Sequence, residues 1–118
     1  MAKYLLVVQV DCADPLREKE LNDWYEDIHI PDVLKTTGAV KATRYINLSP
    51  EINKRPKYVT LYEIETEDIK EFDRLLNEGV KKAEAAGRMS NLLVPESHYP
   101  FQPPYYKEIS SRKRTKKK

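Results

Sequence analysis

Tyr25 and His29 are spaced one helical turn apart, directly after the only tryptophan, Trp24. An imidazole has an unperturbed pKa near 6.5, so it can take or give a proton close to neutral pH. A tyrosine adds a ring that packs and a hydroxyl that stays available to a ligand. These residue types predict acid/base chemistry on a small molecule, with His29 and Tyr25 as catalytic residues.

The same side chains also have purely structural interpretations. His29 can stabilise the C-terminus of a helix, where the helix dipole favours a cation. Trp24 continues an apolar stripe with Leu21 and Ile28, at the spacing i, i+3, i+7, which favours a place in the core. Even there, its edge can form a wall of a ligand pocket, so we include Trp24 among the substrate-binding candidates.

Two polar residues, Gln9 and Glu63, stand inside otherwise apolar strand sequences. A buried carboxylate needs a partner or becomes neutral, and Arg44 is the expected partner of Glu63. The pair is either a structural ion pair or part of a pocket, where Glu63 with a raised pKa would be a third catalytic residue. If these residues form part of a pocket, Arg44 and Gln9 are candidates for binding the substrate.

Two tyrosines and the second histidine complete the predicted substrate-binding residues. Tyr45 and Tyr62 are expected in the sheet, where either can donate a hydrogen bond to an oxyanion or a phenol. His98 lies between prolines in a loop that either covers a pocket or is simply exposed.

We expect no metal and no cofactor. The His, Cys, Asp and Glu residues do not form a tight cluster with the spacing of a metal site. Three glycines leave little room for a phosphate-binding loop, which argues against a nucleotide. Cys12, the single cysteine, has no activating motif next to it, excludes an internal disulfide and fits a cytoplasmic location.

A basic tail hides the charge of the rest of the chain. The net charge of the 118 residues is +2, but residues 110–118 hold six basic residues and no acidic one. Subtracting these six from 21 Lys and Arg leaves 15 against 19 Asp and Glu, a net charge of −4 for residues 1–109. We predict one domain over residues 1–109 and a disordered tail. The tail either has no specific role or weakly attracts nucleic acid or anionic surfaces, and no apolar run reaches the ~18 residues of a membrane span.

The hydrophobic patterns order the elements as β-α-β-β-α-β. Strands are predicted over residues 3–11, 40–47 and 58–65, with a last one within 104–109. The first helix begins at Asp14-Pro15 and is expected to end or bend at Pro31. The second is capped by Thr66, ends near Gly87 and buries one face, formed by Ile69, Phe72, Leu76, Val80 and Ala83.

This order predicts an α+β, ferredoxin-like fold, a four-stranded antiparallel sheet with two helices on one face. The first strand is apolar on both of its faces, although helices cover only one. A second copy of the sheet is the simplest cover for the other face. We therefore predict a homodimer whose two sheets pair into a barrel.

Three patterns resemble the dimeric α+β barrel superfamily and, within it, the EthD-like group: Trp24-Tyr25-x3-His29-Ile30-Pro31-Asp32, Gly38-Ala39-Val40-x3-Arg44-Tyr45 and Tyr58-x3-Tyr62-Glu63. The resemblance covers about residues 3–86. It implies a ligand pocket between sheet and helices, often lined by His and Tyr. Members of the superfamily include cofactor-independent cyclases, isomerases, lyases and oxygenases of small organic molecules, and others have no established activity.

Three functions remain open on this basis. The first is a cofactor-independent lyase, isomerase or cyclase that acts through His29 on a hydrophobic, aromatic or carbonyl-containing metabolite. The second keeps the pocket without chemistry, as a ligand-binding or stress-associated dimer. The third is an RNA-binding module, because RNA-recognition domains share the element order and Tyr58 and Tyr62 share a strand face. The acidic body and the missing Lys/Arg-Gly-aromatic motif argue against RNA.

Overall fold

The computed structural model describes residues 2–48, 56–95 and 105–109. They contain one antiparallel sheet built from β1 (Ala2–Cys12), β2 (Lys41–Ile46), β3 (Tyr58–Thr66), β4 (Leu93–Pro95) and β5 (Tyr105–Ile109). The order is β2-β3-β1, and both β4 and β5 pair with the remaining edge of β1. Two helical segments, residues 15–37 and 69–85, form one layer on one face of the sheet. The predicted α+β, ferredoxin-like arrangement is therefore confirmed.

The last strand position of the sheet is shared by two segments. Val10 of β1 pairs with Pro95, and Val7 pairs with Tyr105, so β4 and β5 follow one another along the same edge. Only β5 is predicted from the sequence, since β4 has just three residues. The loop that holds His98 and the basic tail (residues 110–118) lie outside the described residues.

The first helical segment runs from residue 15 to residue 37 in four consecutive parts. The Asp14 carboxylate accepts a hydrogen bond from the Leu16 amide (3.0 Å), as predicted for a cap. A 3-10 turn (Pro15–Arg17), α1 (Glu18–Trp24), a π-helical turn (Tyr25–His29) and α2 (Ile30–Thr37) follow.

The helical segment continues past Pro31, so of the two alternatives predicted there, an end or a bend, the end is wrong. At the π-helical turn the amide of Ile30 donates to the carbonyl of Tyr25, five residues earlier. Pro31 then stands in the first turn of α2, where a missing N–H is tolerated. The segment ends at Gly38, whose φ of 75° suits a residue without a side chain.

The second helix, α3 (Ile69–Ala85), has its cap two residues later than predicted. Its cap is Asp68, which accepts hydrogen bonds from the amides of Lys70 (3.1 Å) and Glu71 (3.2 Å). The hydroxyl of Thr66 instead accepts from the Asp68 amide (3.0 Å) and so orients the cap. Phe72 is the fully buried residue of this helix.

Alternate residues of the strands point to opposite faces of the sheet. The even-numbered positions of β1 and β3 face the helices and form the core with Val33 and Phe72; they include Leu6, Val10, Tyr58, Thr60, Tyr62 and Ile64. The odd-numbered positions form the opposite surface, which we call the open face. Four half-buried apolar residues lie there, namely Leu5, Val7, Val59 and Leu61.

Candidate functional site

The π-helical turn decides which aromatic residue of the first helical segment is buried. Tyr25 is fully buried in the core, whereas Trp24 is half-buried and packs, like Ile30, against the edge of the same core cluster. The predicted positions of Trp24 and Tyr25 are therefore reversed. A π-helical turn inserts one residue into the helical repeat, so the face of Leu21 and Tyr25 continues through Ile30 rather than Ile28.

His29 lies between the two aromatic side chains. Its ring stacks on the indole of Trp24, with centroids 4.8 Å apart and planes inclined by 19°. The edge of Tyr25 contacts it from another side, at a centroid distance of 5.0 Å. The indole Nε1 donates to the carbonyl oxygen of Arg88 (2.7 Å), which anchors Trp24 at the edge of the core.

A cavity of about 220 Å³ lies between the sheet and α3, next to His29. Its apolar wall is formed by Leu6, Val8, Val33, Leu76 and Val80. Its polar groups come from Tyr25, His29, Tyr62 and Asn77. An engineered apolar cavity of ~150 Å³ accepts benzene, so this space suits a substituted aromatic ring. An apolar pocket with a few convergent polar groups is the usual form of a small-molecule site.

The surroundings of His29 hold its imidazole in the neutral form at pH 7. Burial lowers the pKa of His29 to about 4, and the positive charge of Arg44 acts in the same direction. The carboxylate of Asp32 opposes this and raises the pKa. Asp32 is itself bound by the guanidinium of Arg88 through two hydrogen bonds, of 2.8 and 2.9 Å. His29 therefore accepts a proton readily only when a negative charge arises beside it.

The hydroxyl groups at the cavity wall are protonated and can act as donors. Burial raises the pKa of both Tyr25 and Tyr62 above the ordinary tyrosine value, and Arg44 opposes the rise. The hydroxyls of Thr60 and Tyr62 lie close enough to influence the pKa of Tyr25. Both approach the Tyr25 hydroxyl as weak hydrogen-bond partners, but within the described part of the chain neither makes a hydrogen bond of ordinary distance and angle.

Arg44 is held between two tyrosine rings behind this wall. Its guanidinium carbon lies 4.3 Å from the ring centroid of Tyr25 and 4.4 Å from that of Tyr58, a cation–π arrangement. Its Nη1 donates to Oδ1 of Asn22 (2.9 Å) and lies 3.4 Å from Oε2 of Glu26. Within the described residues its Nε and Nη2 have no partner.

Three of the predicted site residues are not at this cavity. Glu63 is exposed and Gln9 half-buried, and both point to the open face because they alternate with the core positions. Tyr45 also occupies the odd position next to Arg44, and it is 55% exposed. The cavity thus unites Tyr25, His29 and Tyr62, with Trp24 and Arg44 directly behind its wall.

The predicted ion pair between Arg44 and Glu63 is wrong. In the strand register Arg44 stands opposite Thr60, while Glu63 stands opposite Lys41. The two side chains are on opposite faces of the sheet, so Arg44 contacts the helical segment instead. His98 lies outside the described residues, and its predicted role stays a prediction.

The sequence did not identify two polar residues near the site. Thr60 is buried beside the cavity wall, between Tyr58 and Tyr62 on the same strand face, and strict alternation along β3 is a signal that finds it. Asn77 lines the cavity from α3, and no pattern distinguishes it from other polar helix residues. In the described ranges no group of three His, Cys, Asp or Glu residues has the arrangement of a metal site.

The two tyrosines that the RNA hypothesis requires on an exposed surface lie under the helices. Tyr58 and Tyr62 do share a strand face, but they are only 4% and 2% exposed beneath the helices. Bases cannot stack on rings that the helices already cover. Among the described residues no helix has the length and apolar character needed to cross a membrane.

An antiparallel sheet with helices on one face and a cavity between them is an α+β fold, and comparison with solved structures shows that the fold is EthD-like. The chain is similar to HapK from Hahella chejuensis (TM-score 0.61, 10% identity, 97% of this chain and 99% of that one). It is also similar to an ethyl tert-butyl ether D (EthD) family protein from Bacillus halodurans (TM-score 0.56, 16% identity, 93% and 100%). No family model matches the sequence, and no curated protein does.

Proposed function

We propose that this chain is a small cofactor-independent enzyme of the lyase, isomerase or cyclase type. In this proposal His29 moves a proton on a hydrophobic, aromatic or carbonyl-containing molecule bound in the cavity. One observation carries it: a neutral imidazole and the Tyr62 hydroxyl share the wall of an apolar space of about 220 Å³. The size and lining of the space favour a ring of modest size.

The proposed chemistry begins at a C–H bond next to a carbonyl. Neutral His29 takes the proton, and the electron pair moves to the carbonyl oxygen to give an enolate. The enolate oxygen accepts a hydrogen bond from Tyr62, which is protonated at all relevant pH values. His29 then returns the proton to another carbon or to a leaving group, so that no electron or atom has to come from a cofactor.

The low pKa of His29 is compatible with this role. An imidazole with a pKa of about 4 is a weak base in the empty cavity. An enolate formed beside it stabilises the imidazolium through a charge pair, and that attraction is strong where water is excluded. Proton transfer is therefore coupled to ligand binding, which limits unwanted proton exchange in the free protein.

Hydrogen–deuterium exchange tests the proposal without knowledge of the product. The full chain is incubated in D2O with a panel of aryl ketones, and proton NMR follows the loss of the C–H signal next to the carbonyl. We expect faster exchange with the wild type and buffer-level exchange with His29→Gln, which retains a polar side chain. Arg74→Gln is the matched control, because Arg74 lies exposed on α3 and pairs with Glu71 and Glu78.

The same experiment separates the enzyme from a binding protein. The weak basicity of His29 favours, as a second candidate, a protein that only binds such molecules. Ligand-induced NMR shifts of cavity residues together with equal exchange rates for wild type and His29→Gln would support binding without catalysis. Neither shifts nor exchange with any member of the panel would contradict both functions.

We further propose that a second copy of the chain covers the open face and that the protein acts in the cytoplasm. Leu5, Val7, Val59 and Leu61 give the open face an apolar centre, and no helix of the described residues covers it. Cys12 is a free thiol, in keeping with a reducing compartment.

A further inference from the structure

Four buried polar atoms without partners gather around Tyr25. They are Nε and Nη2 of Arg44, Oγ1 of Thr60 and the hydroxyl oxygen of Tyr62, judged over the described residues. Arg44 lies over the Tyr25 ring and stands opposite Thr60 in the strand register, and Thr60 and Tyr62 share one strand face. Buried polar groups are nearly always hydrogen-bonded. Such a concentration of donors in one place indicates that an acceptor belongs there.

The charge of this cluster is positive and poorly balanced. The side chain of Arg44 is only 9% exposed, and Glu26, the carboxylate of its ion pair, lies 3.4 Å away with 62% of its own side chain exposed. A buried cation normally has a close, buried counter-charge. Glu26 therefore balances the positive charge of Arg44 only in part.

The groups between Arg44 and the cavity contribute no negative charge of their own. Tyr25 and Tyr62 are protonated, and His29 is neutral at pH 7. Arg44 nevertheless influences all three, because its charge lowers the pKa of each. Asp32 also acts on His29, but its carboxylate is engaged by Arg88 on the outer side of the helical segment. The field at the Tyr62 end of the cavity is that of a cation.

We propose that the cavity binds an aromatic ligand through an ionised oxygen, a phenolate, enolate or carboxylate. The ring occupies the apolar space, the oxygen accepts a hydrogen bond from the Tyr62 hydroxyl, and Arg44 stabilises its charge from behind Tyr25. Arg44 does not line the cavity, so it is a positioning residue. This inference rests on the proposed function, since it specifies which molecules the same cavity prefers.

The test uses 4-nitrophenol, whose ionised form absorbs visible light, beside nitrobenzene, the neutral compound that lacks the phenolic oxygen. We expect the phenolate to bind the full chain at least about tenfold more tightly than nitrobenzene, as one hydrogen bond to a charged group supplies. The absorbance titration of the bound probe shifts to lower pH than that of the free probe. If Arg44 had only a structural role, its replacement would leave this shift of the titration unchanged.

Variants assign the effect to Arg44. In Arg44→Met the preference for the phenolate over nitrobenzene is expected to fall, because only the hydrogen bond from Tyr62 remains, and the titration of the bound probe moves back towards that of the free probe. Replacing a buried charge by an apolar side chain often preserves folding; if this variant does not fold, Arg44→Lys and Tyr62→Phe replace it. Lysine preserves the preference for the anion, whereas Tyr62→Phe weakens it. Arg74→Met is the matched control on the surface and leaves the preference unchanged.

Competition identifies the source of the anion. Displacement of the probe by benzoate but not by benzamide extends the preference to carboxylates. Displacement by neither compound restricts the preference to phenolates and enolates. Both results support a site for an anion. If nitrobenzene binds as tightly as the phenolate in the wild type, the cavity is a neutral apolar site and this inference is overturned while the proposed function stands. If neither compound binds, both are overturned.

Discussion

His29 stacks on Trp24 although the two residues are five positions apart, with ring centroids 4.8 Å from each other. In a regular α-helix such residues point about 140° apart, and only the π-helical turn brings them to one side. Through this stack the half-buried Trp24 contacts His29, which lines the cavity between the sheet and α3. The single tryptophan is therefore a natural reporter of the protonation state of His29 and of any ligand beside it.

The stability of the protein should fall between pH 6.5 and pH 4 because of His29. The unfolded imidazole has a pKa near 6.5 and the folded one about 4, so over this range the unfolded chain binds more protons. The stabilising contribution is fully present above pH 6.5 and is lost as the pH falls towards 4. At ~1.4 kcal/mol per pKa unit, the loss is about 2–3 kcal/mol. Urea denaturation at a series of pH values measures it.

His29→Gln should remove most of this pH dependence. In the native wild type, Trp24 fluorescence should change with pH, and the midpoint of that change should equal the pKa of His29, about 4. The pKa of Asp32 is lowered mainly by the hydrogen bond from Arg88, so its contribution is lost only at lower pH, below its ordinary range near 3.8. An NMR titration of His29 with a midpoint near 6.5 would contradict the buried, neutral imidazole.

Tyr62→Phe should leave the free energy of unfolding unchanged or raise it by up to about 1 kcal/mol. The buried hydroxyl has no partner among the described residues, and removing an unsatisfied polar group carries no penalty. The same variant should bind phenolate more weakly, so that stability and ligand binding change in opposite directions. Thermal and urea denaturation give the stability. A loss above about 1 kcal/mol would show that the hydroxyl is already satisfied in the empty protein.

Gly79→Ala should destabilise the contact between α2 and α3. A Cβ at Gly79 would lie 2.7 Å from Cγ2 of Thr36 and 3.3 Å from its Cβ. Overpacking costs about 1–3 kcal/mol, and the better helix propensity of alanine returns ~1 kcal/mol. We therefore expect a net loss of about 1 kcal/mol by urea denaturation.

Thr36→Ser provides the control for this contact, because it removes the Cγ2 atom but keeps the hydroxyl. In that background Gly79→Ala should be neutral or stabilising. Equal effects of Gly79→Ala in both backgrounds would mean that Thr36 does not limit the approach of the two helices.

Val7→Lys should convert the proposed dimer into a monomer. Val7 lies at the centre of the open face, and a charge there opposes burial against a second sheet. Size-exclusion chromatography with light scattering should give the mass of two chains for the wild type and of one chain for the variant. Val40→Lys, at a residue that is 57% exposed outside the strands, should remain dimeric. A monomeric wild type at micromolar concentration would contradict the proposed interface.

The sheet and its order could be predicted because they depend on local signals. Alternating and β-branched runs marked the strands, and the Asp14-Pro15 start of the first helical segment is confirmed. The second helix was also predicted, although the cap of α3 is Asp68 rather than Thr66. β4 escaped prediction because three residues carry too little periodicity, and its strand is defined by pairing with β1.

The site was predicted only in part, for a geometric reason. An apolar stripe was traced on a regular helix, whereas the π-helical turn adds a residue and buries Tyr25 in place of Trp24. The assignment of Glu63 failed because a polar residue in a strand looks the same on either face. Its neighbour Tyr62 faces the cavity, and Glu63 consequently faces away.

The sequence by itself determined the element order, the apolar character of both faces of the first strand, and the neighbourhood of Tyr25 and His29. These properties depend on residues close together in the chain. Only the tertiary structure decided the neutral state of His29, the contact of Arg44 with two tyrosine rings and the group of unpartnered donors behind the cavity. Each arises where a helical segment meets strands distant in sequence, because burial and electric field depend on the neighbours that the fold assembles.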